Sequence, residues 1–248
     1  MKTNLKYFDA MNSTVPKITT HLDISFEIYV GNKNIEAPAF LSMEKQLSEL
    51  FARAGRPDYK ILIRFLEGEE WTQPKAACSC ITIISLLGEL LDRDTSFKEI
   101  SEKYHNRIQV LVGNGNPVFI CSIFRHVPNE TSTLPTERIW MKERIARLNL
   151  LAAELSQSWG VNVIDIDRNL AHLGARKLSA DYLLRSKVST LLSGHVILDA
   201  LLAAGLDLVV ADECLEMARR LHGGFSRHKR LHQILNQYNT SRQTDDNH

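Results

Sequence analysis

The chain has 248 residues, 44% of them apolar and 24% charged, and 30 Lys and Arg against 29 Asp and Glu leave a net charge of +1. Such a composition excludes collagen-like, disulfide-dense and wholly disordered chains, and the length suits one large domain or two small ones. The charge balance offers nothing to nucleic acid or a membrane surface, so neither is an expected partner.

The first 20 residues are polar and have no period. Ile24 to Val30 alternates apolar and polar positions and predicts a strand, followed by a turn at Gly31-Asn32-Lys33-Asn34. Ser42 is placed to cap a helix with Leu47, Leu50, Phe51 and Ala54 on one face and Gly55 as its stop. Tyr59 to Leu66 predicts a strand, and Glu67 to Trp71 a polar loop closed by Pro74. Ala76 to Leu91 predicts a helix, although Ile81, Ile83 and Ile84 would also suit a strand. Thr95 to Val112 is a helix with a capping box at Ser96 and Glu99, broken at Gly113-Asn114-Gly115-Asn116. Pro117 to Phe124 is nearly all apolar, as in a strand buried on both faces of a parallel sheet. After a loop with Pro128 and Pro135, Glu137 to Trp159 repeats at helical spacing until Gly160. Val161 to Ile166 predicts a strand. Val188, Leu191, His195, Leu198 and Leu202 form a helix face, and Asp212 to Leu221 a short helix.

This alternation predicts a three-layer α/β/α domain with a mostly parallel, flavodoxin-like sheet. Residues 1–56 hold a strand and a helix that belong to the same domain or extend its edge. Residues 57–222 form the α/β core, and residues 223–248 a polar, basic tail frayed at its end. The N-terminal part is short, so a sheet trimmed at that edge is expected. In such folds ligands gather where loops leave the C-terminal ends of the strands. Three loops qualify: Glu67 to Trp71, Arg125 to Glu130, and Asp165 to Leu173.

No run reaches the roughly 18 apolar residues that span a bilayer, and Met1 to Pro16 has no apolar signal region. Cys78, Cys80, Cys121 and Cys214 lack zinc-ligand spacing and read as reduced thiols of a cytoplasmic protein. No metal and no cofactor is expected.

Several blocks resemble the SGNH, or GDSL-type, hydrolases. Pro57-Asp58, the strand after it and Glu67-Gly68-Glu69-Glu70-Trp71 resemble the third block, where a Gly-x-Asn-Asp turn follows a strand. The helix from Ser96 and Gly115-Asn116-Pro117-Val118-Phe119-Ile120 resemble the next helix and strand. Arg144-Ile-Ala-Arg-Leu-Asn149 and Gly160-Val-Asn-Val-Ile-Asp165 resemble the pair that follows. Ser186-Lys-Val-Ser189 and Gly194-His195 resemble the last block, which usually reads Asp-x-x-His and then Gly-His. The resemblance implies ester or O-acyl hydrolysis, of a small-molecule or glycan ester, by a Ser nucleophile with an oxyanion hole. The residues that would carry it differ. No Gly-Asp-Ser occurs, the expected Asn donor falls on Glu69 or Glu70, and the expected Asp and His fall on Ser186 and Ser189. A carboxylate donates no hydrogen bond to an oxyanion unless protonated, and a serine without a base is a weak nucleophile. The alternatives are an active hydrolase with relocated chemistry and an inactive SGNH-like module that binds a glycan, acyl ligand or protein.

The candidate catalytic residues are His195, His126, Asp165 and His172. His195, on an apolar helix face, reads as a structural histidine or as a relocated base served by Asp199 or Asp165. Arg125 and His126 follow a buried strand, where Arg could grip a carboxylate or phosphate through two parallel bonds, or lie in an ordinary loop. Asp165 and Asp167 follow the next strand near His172, with Asp167 the expected cap of a helix starting at Arg168. The candidate substrate-binding residues are Arg125, Glu69, Glu70 and Trp71, the two glutamates being able to split their pKa values by repulsion. Arg227-His-Lys-Arg-Leu-His232 reads as a solvated helix face or a weak anion patch.

Overall fold

The structure, a computed structural model, describes residues 23–67, 80–128, 134–178, 180–223 and 227–245. Their strands, β1 (Asp23–Tyr29), β2 (Lys60–Leu66), β3 (Cys80–Ser85), β4 (Val118–Cys121) and β5 (Asn162–Ile164), form one sheet in the order β2-β1-β3-β4-β5. Every pairing is parallel. The helices are α1 (Lys33–Arg53), α2 (Leu87–Leu91), α3 (Phe97–Gly113), α4 (Pro135–Trp159), α5 (Ile166–Ala171), α6 (Ala175–Leu178), α7 (Lys187–Ala203), α8 (Asp212–His222) and α9 (Arg227–Asp245).

Side-chain alternation along the strands feeds two cores. Ile24, Phe26 and Ile28 of β1, Ile81 and Ile83 of β3, and Phe119 of β4 pack on one face with residues of α1, α7 and α8. Tyr29, Ile84, Val118 and Ile120 pack on the other with residues of α2, α3 and α4. This is the expected three-layer α/β fold. No helix among the described residues is long and apolar enough to cross a membrane.

Four expectations are corrected. Residues 76–91 do not form one helix. Cys80–Ser85 is the central strand β3, and its first five residues are buried. A strand covered on both faces has no polar stripe, so its periodicity cannot be told from a buried helix, and the β-branched Thr82, Ile83 and Ile84 decide it. Helix α1 begins well before Ser42: Asn32 is its N-cap, accepting from Asn34 N–H at 3.0 Å, and the helix runs through Pro38. The sheet is not trimmed beside β1, which lies between β2 and β3. The tail is a helix, α9, whose Leu231 and Leu235 are buried in the core that contains α7.

Two glycines set the geometry at the sheet's C-terminal edge. A Cβ on Gly31, after β1, would stand 2.1 Å from Gly88 Cα, in the first turn of α2 behind β3. The two turns touch backbone to backbone, a distance only glycine allows. Gly31→Ala is therefore expected to lose about 1–3 kcal/mol by overpacking. Gly113→Ala, with nothing within 4 Å of its added carbon, is expected to be neutral or to gain up to about 1 kcal/mol of helix propensity. Urea midpoints of the two variants check the contrast.

Candidate functional site

An open groove of about 1240 Å³ lies where β4 and β5 end. Its walls are the segment after β4 (Phe124, Arg125, His126), the start of α5 (Asp165, Asp167, His172) and the flank of α4 (Lys142, Asn149, Leu150). Local bonds hold each wall. The Asn149 side chain accepts from Ile123 N–H at 2.7 Å and donates to Ile123 O at 2.8 Å, pinning the chain as it leaves β4. Ser122 Oγ accepts from Asp167 N–H at 3.0 Å and donates to Asp165 Oδ1 at 3.3 Å, joining the two strand ends.

The structure thus brings Arg125, His126, Asp165 and His172 to one groove. Arg125, His126 and His172 are exposed there. The capping role moves, however. Asp165, not Asp167, caps α5, accepting from Arg168 N–H at 3.0 Å. Asp167 is buried and accepts from Arg125 three ways: the backbone N–H at 2.9 Å, Nε at 2.9 Å and Nη2 at 2.5 Å. The cap falls two residues earlier because α5 starts at Ile166, directly behind a short β5. Among the described residues no group of three or more His, Cys, Asp or Glu is arranged to hold a metal ion.

His195 does not line this groove. It sits on α7 beside a buried ionic cluster, its ring stacked 6.4 Å from that of His222. His222 Nε2 lies 2.5 Å from Asp199 Oδ1, which Arg230 of α9 also contacts. Burial, and then the neighbouring His222, push the His195 pKa down to about 4, with Asp199 opposing. Glu69, Glu70 and Trp71 lie outside the described residues.

The strand before Glu67 is β2, at the edge of the sheet; the third strand-to-helix turn is Leu86-Leu87-Gly88-Glu89, behind β3. The strand-to-helix turn behind β1 is Gly31-Asn32-Lys33. Lys33 there donates its backbone N–H to Glu67 Oε1 at 2.6 Å and sets Nζ over the Phe65 ring. Ser186 and Ser189 form the N-terminal cap of α7. Ser186 Oγ accepts from Ser189 N–H at 3.1 Å and bonds Leu178 O at 2.7 Å, and Ser189 Oγ donates to Ser186 O at 2.9 Å. The two hydroxyls bond to backbone and lie 2.8 Å from each other.

One residue escaped the sequence reading. Glu36, in the first turn of α1, is 7% exposed. Its Oε1 accepts from Gly31 N–H at 2.8 Å and Asn32 N–H at 2.9 Å. Burial raises its pKa; the Ser85 hydroxyl and these two amides hold the rise back, and the Glu67 charge adds to it. A carboxylate following an Asn-capped turn is a sequence signal for this bond, hidden because residues 31–34 read as a turn alone.

No family model matches the chain, and no curated protein matches it in sequence. Its fold does have solved counterparts. A candidate GDSL-like lipase from Parabacteroides merdae superposes with a TM-score of 0.56 at 12% identity, over 72% of this chain and 95% of the other. An acetyl xylan esterase from Geobacillus stearothermophilus gives 0.52 at 8%, over 75% and 96%. A lipase/acylhydrolase from Enterococcus faecalis gives 0.51 at 16%, over 72% and 95%. The chain has the SGNH-type hydrolase fold.

Two outcomes test this geometry. Asp167→Ala is expected to cost about 1–3 kcal/mol in urea unfolding, mainly from the orphaned Arg125 N–H. The guanidinium contributes little because the Arg125 side chain is 65% exposed. His195, neutral in the folded protein until about pH 4, takes up its proton more readily when unfolded. Stability is then lost as pH falls from about 6.5 toward 4, by up to about 1.4 kcal/mol per pH unit. His195→Gln is expected to flatten that slope, and imidazole NMR to place the wild-type midpoint near 4.

Proposed function

We propose that the protein binds an acylated small molecule, a glycan ester in the first instance, without cleaving it by a serine triad. The observation that carries this is the α7 cap: where the resemblance calls for Asp and His, Ser186 and Ser189 are bonded to backbone and supply no base. The groove remains, with Arg125, Lys142 and Arg168 on its walls and Phe124, Ile145 and Leu150 beside them. Cationic groups over apolar surface suit an oxygen-rich body carrying an acyl group. Acylated glycan is the choice because a neighbour in fold is described as an acetyl xylan esterase.

A second reading has its own observation. His126, His172 and Asp165 share the groove, and an imidazole there could serve a water that attacks an ester directly.

Three measurements separate the readings. The folded protein is expected to take no fluorophosphonate label and to leave p-nitrophenyl acetate hydrolysing at the buffer rate. Calorimetry with an acetylated xylo-oligosaccharide is expected to show binding, weakened about three- to tenfold by Lys142→Ala or Arg168→Ala. Turnover lost in His126→Ala or His172→Ala, without labelling, would establish the second reading instead.

A further inference from the structure

Beside the groove lies a second, half-open cavity of about 50 Å³. Ser122 and Phe124 line both, so the two spaces share a wall. The small cavity is mainly apolar, with Ile35, Phe40, Ile123, Ile166 and Ile197 among its lining. Its exception is Glu36. Oε1 of that carboxyl is used by the Gly31 and Asn32 amides, while Oε2 is buried and makes no hydrogen bond. A buried polar oxygen in an apolar chamber is costly unless something meets it. The chamber is larger than one water needs and far smaller than a drug-sized pocket.

Burial favours the protonated form of Glu36, against the Ser85 hydroxyl and the Gly31 and Asn32 amides, which favour the carboxylate. Glu67 adds negative charge, and the buried Cys121 thiol is held protonated. Ser85, Ser122 and Tyr182 bring hydroxyls to the wall, and among the described residues no Lys, Arg or His lines the cavity. A neutral carboxylic acid in an apolar site donates a hydrogen bond from the oxygen that carries its proton. Here that oxygen is Oε2, since Oε1 is accepting twice. The complementary occupant is a small apolar group bearing one acceptor oxygen.

The outer wall is unusual too. It is the segment Tyr182-Leu183-Leu184, in which Leu184 has φ +54°, a left-handed conformation strained for leucine. Tyr182 N–H bonds His126 O at 2.9 Å, so this wall is tied to the rim of the groove.

We propose that the Glu36 cavity is an acyl site, taking an acetyl- to butyryl-sized group whose carbonyl oxygen accepts a hydrogen bond from Glu36 Oε2. It deepens the acyl-ligand reading and rests on it for the body of the ligand, which occupies the groove.

The test uses the full chain with ¹³C-labelled isoleucine methyls, titrated with butyramide. The cavity isoleucines, Ile35, Ile123, Ile166 and Ile197, are expected to shift together in wild type at acidic pH. Affinity is expected to fall about tenfold per pH unit once Glu36 ionises. Glu36→Gln, whose amide donates at every pH, is expected to keep binding with no such dependence. Glu36→Leu is expected to weaken it at least tenfold. Backbone amides of Arg125 and Arg168, followed with an acetylated xylo-oligosaccharide, report the groove independently. Groove shifts with silent cavity methyls would mean a chamber holding water only, and would overturn the acyl site while leaving the groove. Cavity shifts with a silent groove would uphold the acyl site and overturn the ligand assigned to the groove. Binding of equal strength in wild type and Glu36→Gln at all pH values would overturn the role of the Glu36 proton.

Discussion

The contact between Gly31 and Gly88 governs the functional edge of this molecule. In a sheet ordered β2-β1-β3-β4-β5, the connections diverge at β1 and β3, and the crevice between their ends is the usual place for a ligand. Here the two turns meet backbone to backbone and leave no crevice. Open space is displaced along the sheet to the ends of β4 and β5, where Asn149, Asp165 and Asp167 pin the chain as it leaves the strands. What remains behind the glycine contact is the small chamber of Glu36. The same turns align the amides of Gly31 and Asn32 on that carboxyl, so its position follows from the backbone contact.

Two of the buried carboxylates outside that chamber, Asp167 and Asp199, are handled differently. Asp167 lies next to solvent, and its partner Arg125 belongs to the segment it fixes. It organises a wall. Asp199 lies deep in α7 and is contacted by His222 from the end of α8 and by Arg230 from α9. It ties three helices together far from the groove. A histidine in that second setting is a packing element whose charge is suppressed, which accounts for His195 being remote from the groove despite a family-like Gly-His pair.

Much of the architecture was legible because local chemistry and tertiary structure agree. The Ser96–Glu99 capping box forms as the sequence implies, and Gly160 ends α4 at φ +68°. Legibility failed where burial erased the pattern. The all-apolar β3 has no face to reveal, and the start of α1 was masked by Pro38 and an Asn-rich turn. The groove residues were legible because they directly follow apolar strands. Glu36 was not, because its importance comes from a glycine contact between distant parts of the chain and from a wall supplied by Tyr182 to Leu184.

The position of β1 also bears on how the molecule is made. It is made before every other strand among the described residues, yet it is flanked on both edges in the finished sheet by strands synthesised later. Until β2 and then β3 arrive, its Ile24, Phe26 and Ile28 face only α1, and both rows of its backbone amides and carbonyls lack ladder partners. Unpaired apolar edges of this kind recruit other chains. Synthesis through Ser85 is therefore the interval in which the nascent protein is most open to misassembly. The docking of β3 closes that interval and, in the same step, brings Gly88 against Gly31.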